Sequence, residues 1–226
     1  MNVLILAGGK GLRLRPYTTV LPKPLMPLGE KPIMERIINQ LKNFGYRKIY
    51  ISVGYLSSLI MAYFGDGKKF GVEIEYVVEE KPLGTAGPIS LLSNINEPFL
   101  VLNGDLVTNL DFRKIYEYHI NNKAFLTIGV HRLTYQIPLG FLDMTNNIIN
   151  NYIEKPEKKY NVSMGVYVCS SSVAQMLNVN EKIDFPDLTK KAIRKGEKVI
   201  GYENNADWID VGRPEEYEKA LKMFKH

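Results

Sequence analysis

A single cysteine, Cys169, stands in 226 residues. That leaves no internal disulfide and no cysteine-built metal cluster, and its strand-like setting reads as core rather than nucleophile. The three histidines, His119, His131 and His226, are scattered without metal-ligand spacing. No apolar run approaches the ~20 residues that span a bilayer, and no charged leader precedes the first apolar stretch. The expectation is a cytoplasmic protein with no membrane partner. There is no arginine-rich stripe and the net charge of +5 is mild, which argues against nucleic acid as the main partner. A GxSxG nucleophile elbow, a GxxxxGK[ST] phosphate loop, internal repeats and low-complexity tracts are all missing.

What is present suits one α/β domain over residues 1–226, since 45% of the chain is hydrophobic and a full core is within reach. The first half alternates patterns. Strands are expected over 2–7, 48–54, 72–80 and 99–105, and helices over 32–46, 57–65, 85–95 and 112–122. This alternation predicts a mostly parallel sheet with helices on both faces and a ligand at the carboxyl ends of its strands. The second half is richer in strand: 126–132, 140–145, 150–156, 162–169, 198–204 and 207–212. Helices are expected over 172–177, 185–195 and 214–224, and the added strands are read as covering a substrate.

Four motifs carry chemistry. The loop after the first strand, LAGGKGLRLRPYTTVLPKPL (6–25), combines Gly8, Gly9 and Gly11 with Arg13, Arg15 and Lys23. Glycines let backbone amides approach a ligand, and cations on one loop repel unless an anion such as a triphosphate faces them. The alternative is a solvated basic loop. Asn103-Gly104-Asp105 ends the 99–105 strand, where a carboxylate can hold Mg²⁺ together with substrate phosphates or simply serve a turn. Asp210, in WIDVG, is a second such carboxylate. Glu79-Glu80-Lys81-Pro82-Leu83-Gly84-Thr85 offers acceptors and close backbone to a nucleobase, or is a polar loop with Thr85 capping a helix. Glu154-Lys155-Pro156 is by default an exposed strand end.

These segments, LAGGKGLRLRP, PKPL, GEKPI, EEKPLGTAG, LNGD, EKP and WIDVGRPEEY, closely resemble the sugar-1-phosphate nucleotidyltransferases, in family order from Leu6 to Ala220. Leu12 stands where that family's glycine loop usually has threonine. The resemblance implies a Rossmann-like, three-layer α/β fold of the GT-A-like type, with a nucleotide-binding half over about 1–124 and a sugar-binding β region over about 125–226. It implies in-line attack of a sugar 1-phosphate on the α-phosphate of an NTP, releasing pyrophosphate, with Mg²⁺ as cofactor. Arg13 and Lys23 would be the catalytic cations, with Arg13 on the leaving phosphates and Lys23 near the α-phosphate. Asp105 and Asp210 would bind the metal. Leu6, Ala7, Gly8, Gly9 and Gly11 would meet the nucleotide, with Glu79, Glu80, Gly84 and Thr85 around the base. Gly140, Glu154, Lys155, Ser163 and Gly165 would meet the sugar phosphate; Ser163-Met164-Gly165 stands where many members have Asn-Ala-Gly.

The paired carboxylates Glu79 and Glu80 favour guanine, which presents two adjacent donors, so GTP is preferred over UTP, CTP and dTTP. A cytidylyltransferase for a non-sugar phosphate, a glycosyltransferase and a non-catalytic sensor are the rival readings. The sequence leaves the oligomeric state open, a homodimer included.

Overall fold

Strand β1 (Asn2–Ala7) is apolar throughout because both of its faces are covered: Val3, Ile5 and Ala7 enter one hydrophobic cluster and Leu4 another. The computed structural model describes residues 1–92 and 95–223. The expected helices 85–95 and 214–224 each run partly outside the described residues, and His226 lies wholly outside them.

The further strands are β2 (Pro27–Leu28), β3 (Lys31–Pro32), β4 (Lys48–Val53), β5 (Glu73–Val78), β6 (Phe99–Asn103), β7 (Leu106–Thr108), β8 (Leu126–Gln136), β9 (Gly140–Thr145), β10 (Ile148–Glu154), β11 (Glu157–Cys169), β12 (Val199–Glu203) and β13 (Trp208–Asp210). The α-helices are α1 (Ile33–Asn43), α2 (Ser57–Phe64), α3 (Phe112–Asn122), α4 (Phe185–Arg194) and α5 (Pro214–Met223). Seven strands form the central sheet in the order β12-β8-β11-β6-β1-β4-β5. β6, β1, β4 and β5 are parallel, β8 is parallel to β12, and β11 runs antiparallel to both β6 and β8.

Strand alternation divides the core between the two faces of this sheet. Ile49 and Ile51 of β4 and Leu100 and Leu102 of β6 meet α1 through Ile33, Ile37, Ile38 and Leu41, whose spacing makes one apolar helix stripe. Tyr50, Val101, Tyr167 and Cys169 face the other way, onto Phe185, Leu188 and Ala192 of α4. The result is the three-layer α/β arrangement expected, with a mostly parallel sheet.

Two expected helices are short 3₁₀ segments instead. Over 85–95 the described structure holds only Gly87–Leu91 in that form. The Ala86 and Gly87 N–H groups donate to the Ile183 carbonyl at 3.0 and 3.1 Å, so a tertiary contact takes the donors of the first turn. Over 172–177 there is a six-residue 3₁₀ segment, Ser171–Met176. Six residues are too few to repay α-helix nucleation.

The second half departs further. β8 runs to Gln136 rather than 132, and β11 begins at Glu157 rather than 162. Beyond Val130 the two strands leave the sheet as a ribbon, at the edge where β1, β4 and β6 end. β9 and β10 form a hairpin beyond it, exposed at every residue.

One buried group makes folding sensitive to pH. His119 of α3 is 1% exposed, with Nδ1 2.9 Å from the Thr127 hydroxyl of β8. Burial pushes its pKa down from 6.5 to about 4. The unfolded chain takes up this proton near pH 6.5 and the folded chain only near 4, so the stability is whole above pH 6.5 and falls as pH drops through that window. At pH 5 the expected loss is about 2 kcal/mol. Thermal unfolding at pH 7.5 and 5.0 will show a smaller drop in Tm for His119→Gln than for the wild type.

Candidate active site

The glycine loop, the β5 exit and the β6 exit enclose a cleft of about 790 Å³ at the carboxyl edge of the sheet. Leu6, Ala7, Gly8, Gly9, Gly11, Arg13, Lys23, Glu79, Glu80 and Asp105 all line it. A smaller adjoining recess of about 340 Å³ adds Gly84, Thr85, Asn103 and Asp210. The glycines have distinct geometric roles. Gly9 faces open space, so a ligand can approach its backbone closely. Gly8 has no room for a side chain, since a Cβ would stand 2.3 Å from a Glu79 carboxylate oxygen. Gly11 takes φ +60°, the left-handed turn that starts the Leu12–Leu14 segment carrying Arg13.

Lys23, Asp105 and Asp210 converge. The Lys23 ammonium donates to Asp105 Oδ2 and stands 4.0 Å from Asp210 Oδ1. Asp105 is delivered by the turn after β6, whose Gly104 N–H donates to the Leu6 carbonyl at 2.9 Å. Asp210 ends β13, which pairs antiparallel with β7 so that Asp210 sits opposite Leu106. Burial, and then the neighbouring Asp105 carboxylate, raise the Asp210 pKa against the opposing pull of Lys23 and Arg13. Asp105 Oδ1 is buried with no hydrogen-bond partner. An unsatisfied carboxylate oxygen beside a second carboxylate fits a hard divalent cation, with phosphate oxygens completing its shell. Among the described residues no cluster of three or more His, Cys, Asp or Glu side chains could hold a metal by itself.

Arg13 lies against Gly212, where a Cβ would come 3.0 Å from its guanidinium and 3.2 Å from Glu216 Oε2. Glu216 also accepts the Gly212 N–H at 2.9 Å. Sequence reasoning assigned nothing to Glu216, because acidic residues in a helix's first turn are ordinary.

On the wall expected to face the base, Glu79 and Thr85 each make hydrogen bonds within the protein. The Glu79 carboxylate accepts the Ser52 hydroxyl on one oxygen and the Leu83 N–H, at 2.9 Å, on the other. It therefore closes its own loop, and Glu80 is the exposed acceptor on that wall. Thr85 caps a different helix from the one expected: its hydroxyl accepts from Phe185 N–H at 2.9 Å, at the start of α4. Gly84 takes φ +77°, and a Cβ there would meet the Ile183 carbonyl at 2.6 Å.

The five residues expected at the sugar phosphate line neither recess. Gly140 and Glu154 are direct partners in the β9–β10 hairpin, and Lys155 follows in the left-handed region at φ +46°. Tyr152 lies over Gly140 and donates to Glu154 Oε2 at 3.0 Å. Ser163 pairs with Val130 of β8, where β11 leaves the sheet, and Gly165 lies against Asn103 at the end of β6. The Met164 side chain is fully buried, with its sulfur 3.2 Å from Asn204 Nδ2, so its bulk is spent in the core rather than in a sugar pocket. Gly165, at φ +70°, leaves no space for a Cβ, which would stand 2.5 Å from Asn103 Nδ2. Gly165→Ala will therefore push Asn103 from the recess and lower stability by about 1–3 kcal/mol, read as a drop in the denaturant midpoint.

With this geometry in view, the comparisons with known proteins agree on one class. A family model described as nucleotidyl transferase matches residues 2–225. The D-glycero-alpha-D-manno-heptose 1-phosphate guanylyltransferase of Aneurinibacillus thermoaerophilus is 33% identical over 237 residues, covering 100% of this chain and 99% of its own. The crystal structure of HddC from Yersinia pseudotuberculosis complexed with GMP-PN superimposes with a TM-score of 0.77 at 26% identity, covering 99% of both chains. A Bacillus anthracis structure in complex with sucrose, assigned to the glucose-1-phosphate thymidylyltransferases, gives a TM-score of 0.81 at 26% identity, covering 100% of this chain and 95% of that one. A glycine loop, two strand-end carboxylates and a lysine between them, together with a family match from residue 2 to residue 225, place this chain in the nucleotidyl transferase family.

Proposed function

We propose that this chain transfers a nucleoside monophosphate from an NTP, GTP by preference, to a sugar 1-phosphate. An oxygen of the sugar phosphate forms a bond to the α-phosphorus while the bond from that phosphorus to the bridging oxygen breaks, and pyrophosphate carries the electron pair away. The observation that carries this reading is the Lys23–Asp105–Asp210 cluster beneath the glycine loop. It concentrates charge where a triphosphate has to be held and a pentacoordinate phosphorus stabilised. Asp105 and Asp210 would hold Mg²⁺, which supplies charge neutralisation on the phosphate oxygens. Lys23 then turns from Asp105 toward the α-phosphate, and Arg13 holds the leaving phosphates. The glycine loop orients the nucleoside by its backbone. No covalent enzyme intermediate is needed, and catalysis rests on positioning and electrostatics.

GTP is favoured because Glu80 offers an exposed carboxylate acceptor on the base-side wall, and because a relative matched over 99% of its length, that of Aneurinibacillus thermoaerophilus, is a guanylyltransferase. Pyrophosphate release with Mg²⁺ over a grid of GTP, CTP, UTP and dTTP against mannose, glucose, glucosamine, N-acetylglucosamine and heptose 1-phosphates tests both levels. Release confined to the GTP column supports the whole reading. Release confined to another column keeps the reaction and overturns the base assignment. An empty grid overturns the sugar phosphate as acceptor.

A further inference from the structure

One wall of the smaller recess is held by a segment far away in the chain. Within 83–87 the Leu83 N–H donates to Glu79, the Thr85 N–H to Asp184 Oδ1 at 2.8 Å, and the Ala86 and Gly87 N–H groups to the Ile183 carbonyl. The Ile183 N–H donates back to the Leu83 carbonyl at 2.9 Å. Among the described residues this leaves the Gly84 N–H, in the recess wall, as the one amide of 83–87 without a partner in the protein. The direction of the Asp184 carboxylate needs a reason. Asp184 is the N-cap of α4, a position whose aspartate ordinarily accepts an N–H of its own helix's first turn. Here its side chain caps none of them. It accepts the Thr85 N–H and, at 3.2 Å, the Thr85 hydroxyl, while that hydroxyl accepts the Phe185 N–H. The two segments thus exchange caps across 99 residues. Phe185 is 1% exposed and stacks on Tyr167 of β11 at 3.5 Å, which ties the start of α4 to the central sheet.

We propose that Asp184 is a positioning residue for nucleotide choice, presetting the Gly84–Thr85 wall before any ligand arrives. The proposal rests on the NTP reading of the cleft. A loose loop would have to be ordered by the nucleotide, at a cost in affinity, and a wall held in advance spares that cost. It also discriminates, because a fixed donor that meets no acceptor on the wrong base is left unpaired. Asp184 is the side chain on which this depends. Ile183 contributes a backbone carbonyl that any residue would supply, and Glu79 holds only the Leu83 end. The carboxylate lies directly behind the free peptide: a Cβ on Gly84, at φ +77°, would stand 2.8 Å from Asp184 Oδ1. At the phosphate end, Arg13, Lys23 and the glycine loop share no hydrogen bond or ion pair with Asp184 among the described residues. Its effect therefore falls on the base and not on the triphosphate.

Calorimetry in the presence of Mg²⁺ tests this, with GTP, CTP, UTP and dTTP as ligands and tripolyphosphate as a probe of the phosphate end alone. For Asp184→Ala the expected result is an affinity about tenfold lower for the nucleotide that the wild type binds best, with its preference over the other three narrowed by about the same factor. Tripolyphosphate should bind within about twofold of the wild type. Asp184→Asn, which keeps an oxygen for the Thr85 N–H, should restore most of the preference. Hydrogen exchange of the nucleotide-free wild type gives a readout independent of the variants: the amides of Thr85, Ala86 and Gly87 should be protected. Unprotected amides there, an unchanged base preference in folded Asp184→Ala, or an equal loss for tripolyphosphate and nucleotide would each overturn the proposal. A wild type that binds tripolyphosphate but no nucleotide more tightly would instead overturn the NTP reading beneath it.

Discussion

Lys23→Ala will lower kcat by about 10²–10³-fold while leaving KM for the NTP within a few-fold of the wild type. The ammonium is only 12% exposed and sits on the Asp105 carboxylate with Asp210 4.0 Å away. In that position it contributes little to holding a ground-state triphosphate, which the glycine loop and Arg13 can grip without it. Its charge counts when negative charge builds on the α-phosphoryl oxygens, so its loss falls on the transition state. The same geometry sets a second, opposite expectation. In the free protein the lysine sits on Oδ2 of the same carboxylate, beside the unpartnered Oδ1 that a divalent cation would take, and its positive charge opposes that cation. Removing it will leave Mn²⁺ affinity unchanged or tighter, measured by calorimetry without substrate. Lys23→Arg will not restore the rate, because a planar guanidinium cannot occupy the place of a compact ammonium between two carboxylates. A raised KM at normal kcat would make Lys23 a phosphate anchor only.

The parts of the molecule legible in the sequence are those fixed by local periodicity. α3 spans Phe112–Asn122 as read, because its apolar stripe is bounded by an Asp111 cap that accepts the Arg113 and Lys114 N–H groups at 2.9 and 3.2 Å. β1 and β9 likewise keep their expected limits. The 85–95 segment was illegible because its donors are taken by Ile183 and its Thr85 serves α4, contacts about a hundred residues apart along the chain. The same holds in the cleft. Arg13, Lys23 and Asp105 could be picked out, since cations and glycines in one loop and a carboxylate ending a buried strand are each unusual enough to notice. Asn103 was seen beside Asp105 but given no role, and its place in the recess depends on Gly165 of β11 packing against it. The direction of Met164 depends on the register shift between Ser163 and Tyr167, which leaves no mark in the residue pattern. The sugar-side residues were readable only through family resemblance. Gly140, Glu154 and Lys155 proved to lie on an exposed arm because nothing in their own alternation says what covers them.

Asp105→Asn will raise the Mg²⁺ concentration for half-maximal pyrophosphate release at least tenfold, and will cut the rate about 10²-fold at millimolar Mg²⁺. Asn keeps the shape and one carbonyl oxygen but loses the anionic charge, and its amide nitrogen cannot ligate a cation. Asp105 Oδ1 is the atom most affected: it is buried and has no hydrogen-bond partner in the folded protein, so its desolvation is repaid only when a cation arrives. The substitution acts on the free protein as well. It takes the carboxylate away from the Lys23 ammonium, a pair 12% and 18% exposed. Breaking a buried pair costs about 3–5 kcal/mol when nothing replaces the lost partner. Here Asp210, 4.0 Å from the same ammonium, can close in, so a loss of about 1–3 kcal/mol is expected, measured by denaturant unfolding without metal. The two effects separate the roles of one side chain. A stability loss with an unchanged Mg²⁺ requirement would leave Asp105 as the counter-ion of Lys23 and move the metal elsewhere. A raised Mg²⁺ requirement that excess Mg²⁺ overcomes would place the cation on Asp105.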